Sequence, residues 1–176
     1  MRRLIIALVL VSTVATLDSC RRRKREQVDY IDEGGGQLAS LVQTSNPRTA
    51  IQMLKGFHDV ENNAWRWTAG KFSVMLRPPG EAAKKGAVLN LKFVLPEAIL
   101  AKLQDMTITA SIGGKALEPQ TYKAAGPQEY KRPVPAAMLA GDAVTVDFAL
   151  DQFIPAGTMD LRELGVIAAS IGLEVQ

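Results

Sequence analysis

Three stretches of this chain alternate apolar and polar side chains with a period of two, and that period restricts the fold more than any other feature. Over 88–95, Leu89, Leu91, Phe93 and Leu95 alternate with Val88, Asn90, Lys92 and Val94. Over 106–112, Met106, Ile108, Ala110 and Ile112 alternate with three hydroxyl-bearing residues. Over 143–150, Val144, Val146, Phe148 and Leu150 share one face. Successive side chains on a strand point to opposite faces, so each stretch predicts a strand with one face in a core and the other toward solvent.

Other segments extend the pattern. Residues 65–68 and 72–76 flank Ala69-Gly70-Lys71 and read as a tight hairpin or as one bent strand. Gly113-Gly114 signals a turn into a strand over 116–118. Residues 129–134 read as an edge strand, because Pro133 has no N–H for a central ladder. The last strand, 164–175, is expected to bend near Ser170. Helical signals are few. Leu38, Leu41 and Val42 give a weak one, and Ile99, Leu100 and Leu103 suit one or two turns. Asn46-Pro47 offers a cap and a first turn, predicting a short helix over 47–55 that ends at Gly56 and packs on the domain it precedes. Seven or so short strands with little helix make an all-β chain. The expected fold is an antiparallel β-sandwich, jelly-roll or immunoglobulin-like, preceded by a short helix.

Ahead of the strands lies a segment of a different kind. Arg2 and Arg3 precede the 14 residues of 4–17, which carry only aliphatic, Ser and Thr side chains. That run suits the apolar part of a signal peptide and falls short of the roughly 20 residues of a spanning helix. Leu17-Asp18-Ser19-Cys20 follows, then five basic residues from Arg21 to Arg25. The four residues resemble the lipobox of bacterial lipoproteins, with a leucine three before the cysteine and a small residue just before it. Asp18 departs from that pattern, which usually has a small or apolar residue there. The resemblance implies that Cys20 takes a diacylglyceryl group on its thiol and becomes the mature N-terminus. The membrane is then a partner through that lipid. The location is the cell envelope, at the periplasmic face or the outer membrane. Each buried CH₂ of a lipid chain contributes about 0.8 kcal/mol, and a basic residue near an anionic surface adds about 1 kcal/mol. Two other readings stay open: a secretory leader with a soluble product, and a short uncleaved anchor favoured by positive charge after the apolar run. The expected organisation is a signal peptide over 1–19, a lipidated N-terminus and flexible tether over 20–46 with Gly34-Gly35-Gly36, and the β-sandwich over 47–176.

Seven of the 21 lysines and arginines and one of the 18 acids precede Glu26, so the remainder carries 14 against 17, a net of −3. A mildly acidic domain argues against a nucleic-acid partner. Cys20 is the only cysteine, which excludes an intramolecular disulfide and a zinc knuckle. His58 is the only histidine, and a first-row metal site wants three or more converging ligands. Neither a nucleophile elbow nor a phosphate-binding loop is present. The expectation is no metal, no cofactor and no enzymatic activity. Trp65-Arg66-Trp67 remains, with both indoles on one face of a strand. That pair would either stack on sugar rings or plug the core, and the core is the favoured place for Trp67. Arg66 is expected to pair with Glu61 or Glu163.

Gly56-Phe57-His58-Asp59-Val60-Glu61 followed by Trp65-Arg66-Trp67-Thr68 resembles the opening of a small bacterial β-sandwich domain. Phe153-Ile154-Pro155 with Asp160-Leu161-Arg162-Glu163-Leu164-Gly165-Val166 resembles its ending. That domain recurs beside glycosyltransferases and methyltransferases of cell-surface polysaccharide synthesis and in free-standing acidobacterial lipoproteins. The resemblance spans roughly 56–173 and implies a sandwich; with Trp65-Arg66-Trp67 on its opening strand and Arg162-Glu163-Leu164 on the returning one, the two ends are expected to pair. Arg66, Glu61, Arg162 and Glu163 would then form a cross-strand charge network over Trp65 or Trp67. Function divides between a lipid-anchored, non-catalytic protein that binds an envelope glycan or protein, with Trp65, Arg66 and Trp67 as the contacts, and a structural or assembly lipoprotein without a ligand. An envelope hydrolase would need acids converging near His58.

Overall fold

The structure, a computed structural model, describes residues 38–175. The leader, Cys20, the basic run and the glycine run lie outside the described residues. The strands are β1 (Leu41–Gln43), β2 (Met53–Glu61), β3 (Trp65–Leu76), β4 (Ala87–Leu95) and β5 (Met106–Ile112). They continue as β6 (Lys115–Ala116), β7 (Gln120–Tyr122), β8 (Gly126–Val134), β9 (Val144–Leu150) and β10 (Ile167–Val175). All their pairings are antiparallel.

One curled sheet runs β6-β5-β9-β3-β10-β4-β8, with β2 beside β3, β1 beside β10 and β7 beside β5. It turns over on itself where β3 meets β10 through two residue pairs, Trp67 with Ile167 and Arg66 with Ala168. This makes an antiparallel β-sandwich. One layer holds β2, β3, β9 and β5 with its small partners; the other holds β1, β10, β4 and β8. Aromatic rings from the two layers meet in between. Tyr130 of β8 lies edge-on to Phe148 of β9 at 6.2 Å, and Phe93 of β4 edge-on to Tyr122 of β7 at 5.0 Å. The Tyr130 hydroxyl donates to the Glu118 carbonyl at 2.9 Å and accepts from the Ala110 N–H at 3.3 Å. Burial pushes the Tyr122 and Tyr130 hydroxyls above the ordinary tyrosine range, so both stay neutral donors. The connections β3–β4, β4–β5, β8–β9 and β9–β10 each cross from layer to layer, as in a jelly roll.

The period-two reading holds on the inward faces, and of the outward side chains of β4, β5 and β9 only Asn90 is buried. All twelve side chains expected inward from β4, β5 and β9 are buried. Residues 65–76 form one strand rather than a hairpin. β8 is an edge, and β10 carries a register shift between Ala168 and Ser170, where a bend was expected.

Four local expectations need correction. The helix over 47–55 is a 3₁₀ turn, Pro47–Gln52, with the Asn46 side chain accepting from the Arg48 N–H. From Met53 the chain is already β2, and Gly56 lies inside that strand as a bulge with φ +72°. The turn docks through a polar residue: Gln52 is buried, accepts from the Ala39 N–H and donates to the Ala39 and Met75 carbonyls. Ile51 is 84% exposed. Residues 41–43, placed in the tether, are instead a strand on β10 with Val42 wholly buried, so the folded part begins before residue 47. The strand after Gly113-Gly114 is Lys115–Ala116 rather than 116–118.

Candidate functional site

The opening and closing motifs meet at one corner of the sandwich. The chain entering β10 runs along β3, with the Thr68 N–H donating to the Val166 carbonyl at 2.9 Å and the Gly165 N–H to the Thr68 carbonyl at 2.7 Å. A Cβ on Gly165 would stand 2.7 Å from Thr68 Oγ1 and 2.8 Å from the Ala69 carbonyl oxygen, so the approach requires glycine. Ile154 and Leu164 bridge to each other and close the loop between them. The Phe153 ring lies over Gly70, where a Cβ would come within 2.6 Å of Phe153 Cε1. Glu163 binds the same strand, its Oε1 accepting from the Gly70 N–H at 2.6 Å.

The charged residues divide differently from the expected network. Arg162 donates from Nη1 to Glu61 Oε1 at 2.9 Å and grips both carboxylate oxygens of Asp160 at 3.0 Å. That two-pronged contact holds the Asp160 carboxyl at about 2, well below the usual range. Arg66 pairs with neither Glu61 nor Glu163. Its Nε donates to the Thr44 carbonyl and its Nη1 to the His58 carbonyl, both at 2.8 Å. Arg66 shares a sheet face with Ala168, which is wholly buried. Its side chain therefore lies where β3 leaves β10 and β1 takes over, and it satisfies one carbonyl just past β1 and one inside β2. This is a strand pin, with those donors engaged inside the fold.

His58 is also engaged. Its Nε2 donates to the Glu163 carbonyl at 2.6 Å. The acids of the corner each have a partner: Glu61 and Asp160 share Arg162, and Glu163 holds the Gly70 amide. Among the described residues no group of three or more His, Cys, Asp or Glu side chains is placed to hold a metal ion. Sequence reasoning found these residues but read Arg66 as a partner of acids, because the backbone carbonyls it binds have no signature in the sequence.

Register decides the tryptophans. Trp67 pairs with Ile167, Ile167 with Val94, and Val94 with Pro127. Their neighbours one residue away include Ala168 and Phe93, both in the core, so this row lies on the outer face. Trp67 is half-buried and packs on the margin of the core from that side; it does not fill the core. Trp65 is half-buried too, and its indole N–H is buried without a hydrogen-bond partner among the described residues.

No protein-family model and no curated protein matches the chain. Solved structures give loose overlaps. The CBM36-1 domain of a multidomain xylanase from the hindgut metagenome of Trinervitermes trinervoides matches with a TM-score of 0.42 and 12% identity, over 77% of this chain and 96% of that one. A structure described as "CBM4 structure and function" matches at 0.38 and 10%, over 82% and 91%. The CBM51-2 and INT domains of Clostridium perfringens ZmpB match at 0.37 and 7%, over 78% of this chain and 28% of that one. Overlaps this loose say nothing about a ligand, so a functional reading rests on the residues themselves.

Proposed function

We propose that this is a lipid-anchored, non-catalytic protein of the cell envelope that binds glycan. Leu17-Asp18-Ser19-Cys20, directly after an apolar run, supports the anchor. The binding half is carried by the outer-face row Trp67, Ile167, Val94 and Pro127. Pyranose rings have flat C–H faces, and a flat aromatic beside aliphatic neighbours gives such a face contact area at little loss of conformational freedom. A second reading, a structural or assembly lipoprotein without ligand, draws support from Arg66, whose donors are engaged with backbone carbonyls, and from the buried N–H of Trp65.

Mass spectrometry of the mature protein should find diacylglyceryl-cysteine at Cys20, and Cys20→Ala should leave the chain unprocessed or soluble with the sandwich still folded. An N-terminus at Met1, or at any residue but Cys20, would rule out the anchor. The parent protein should be retained on peptidoglycan sacculi or an insoluble neutral polysaccharide, and Trp67→Ala should lose that retention. Because Trp67 is half-buried, the change should also cost about 2 kcal/mol, less than a core tryptophan. No retention of the parent favours the structural reading.

A further inference from the structure

We infer that the outer face of the β1-β10-β4-β8 layer holds an elongated groove for a neutral sugar chain, with Asn90 as its buried polar anchor. This rests on the glycan-binding reading and adds the place and the chemistry of recognition. Two depressions adjoin on that face and share Lys92 as a wall. The first, of about 400 Å³, is bordered by Val94, Pro127 and Glu129 with Ala169 at its edge. It continues the apolar row that starts at Trp67. The second, of about 210 Å³, is polar and lies between Gln43, Asn90, Ser170 and Glu174. Leu41, Gly172 and Asn90 are cross-strand neighbours here. A Cβ on Gly172 would stand 2.9 Å from Leu41 Cδ1, so glycine here makes room for the Leu41 side chain, which lines the second depression.

Asn90 supplies the chemistry. It is 6% exposed, on a face where the other polar lining residues are half-buried or exposed. Its Nδ2 donates to Glu174 Oε1 at 3.2 Å. A carboxylate accepts only from the nitrogen end of the amide, which fixes Oδ1 as the other end. Oδ1 is buried and has no partner among the described residues. A buried acceptor in that state costs more than most lost hydrogen bonds, and a ligand donor would remove the cost. Lys92, Gln43 and Glu174 have exposed side chains and can turn to admit a hydroxyl to it. The charges select against an ionic ligand. Lys92 pairs with Glu129 at 3.7 Å, and Lys131 with Glu174 at 3.8 Å, so the face is locally neutral. A buried acceptor, an exposed carboxylate and ammonium, a serine hydroxyl and an apolar extension match the alternating hydroxyl and C–H surfaces of a neutral oligosaccharide.

The test is calorimetric titration of the full-length protein, in detergent, with neutral β-1,4-linked hexasaccharides of glucose and of N-acetylglucosamine. The parent should bind one of them, and Asn90→Ala and Lys92→Ala should each weaken binding tenfold or more. Lys71→Ala, exposed and on the other layer, should bind as the parent does. Lys92 is held by one surface ion pair, so Lys92→Ala decides the matter if Asn90→Ala fails to fold. Parent-like affinity in folded Lys92→Ala and Asn90→Ala variants overturns the groove and leaves the glycan reading standing. A parent that binds only an anionic oligosaccharide, such as hexagalacturonate, overturns the neutral chemistry. A parent that binds none of these, nor peptidoglycan, overturns both.

Discussion

Gly56→Ala should lower the melting temperature by at least roughly 10 °C, the largest effect expected of any single methyl group in this chain. Gly56 sits at a bulge in β2, where the pairing with β3 shifts register between Lys55 and Phe57. Its φ of +72° is a conformation that side chains rarely adopt. An alanine Cβ would also overlap the Lys71 carbonyl oxygen and stand 2.7 Å from Phe72 Cα. Both obstacles are backbone, and a strand inside a sheet cannot move aside without breaking its own ladder. Strain at such a position combined with overpacking amounts to about 4 kcal/mol, against a total of about 5–15 kcal/mol for a domain of this size. Gly80→Ala is the control: nothing lies within 4 Å of the added atom, and its melt should match the parent's. A Gly56→Ala protein that also melts like the parent would show that β2 is not bulged there.

The same bulge shows what the sequence could and could not convey. Gly56 read as the end of a helix, because Pro47 and the apolar residues after it suit a helical turn and glycine commonly follows one. In the fold, Met53 and Phe57 flank a kinked strand whose kink depends on its partner β3, and a partner strand far along the chain leaves no local trace. The central strands were legible because their periodicity is enforced by burial on one face: Leu89, Leu91, Phe93 and Leu95 could not be arranged otherwise. β1 was not legible, since three residues with one buried valine are below the length at which alternation means anything. The corner was half legible. Glu61, Arg162 and Glu163 were found through their motifs and do meet there. Arg66 was assigned to the wrong partners because a half-buried guanidinium that satisfies carbonyls looks, in sequence, like any other arginine. Asn90 was noted only as one of four outward residues on β4, and the groove beside it arises from four strands that the chain visits at residues 41, 90, 129 and 170. Only their register brings them together.

Phe148→Ala should destabilise the protein by about 3–5 kcal/mol, in the range of other fully buried aromatic truncations. Phe148 is 2% exposed and pairs directly with Phe72 across β9 and β3. The rings are stacked with centroids 4.8 Å apart and planes within 10°. Phe57 of β2 meets Phe72 edge-on at 5.4 Å, and Tyr130 of β8 meets Phe148 at 6.2 Å. These four rings form one continuous contact from the edge of one layer, through its middle, to the edge strand of the other. Removing Phe148 takes out one of the two aromatic contacts between the layers, leaving that of Phe93 with Tyr122, and the cavity left cannot collapse without moving strands held by ladders on both sides. Part of the loss should be specific to the stacked pair. In a double-mutant cycle, Phe72→Ala and Phe148→Ala should show a coupling of about 0.5–1.5 kcal/mol beyond their separate effects. Val94→Ala, on the outer face, should cost no more than about 1 kcal/mol, because its side chain lies on the solvent side of the same layer. Urea denaturation measures all of these, with an unchanged slope for the singles if the native state keeps its compactness. A Phe148→Ala loss no larger than that of Val94→Ala would mean that the two layers do not share a core, and the sandwich as described could not be the fold.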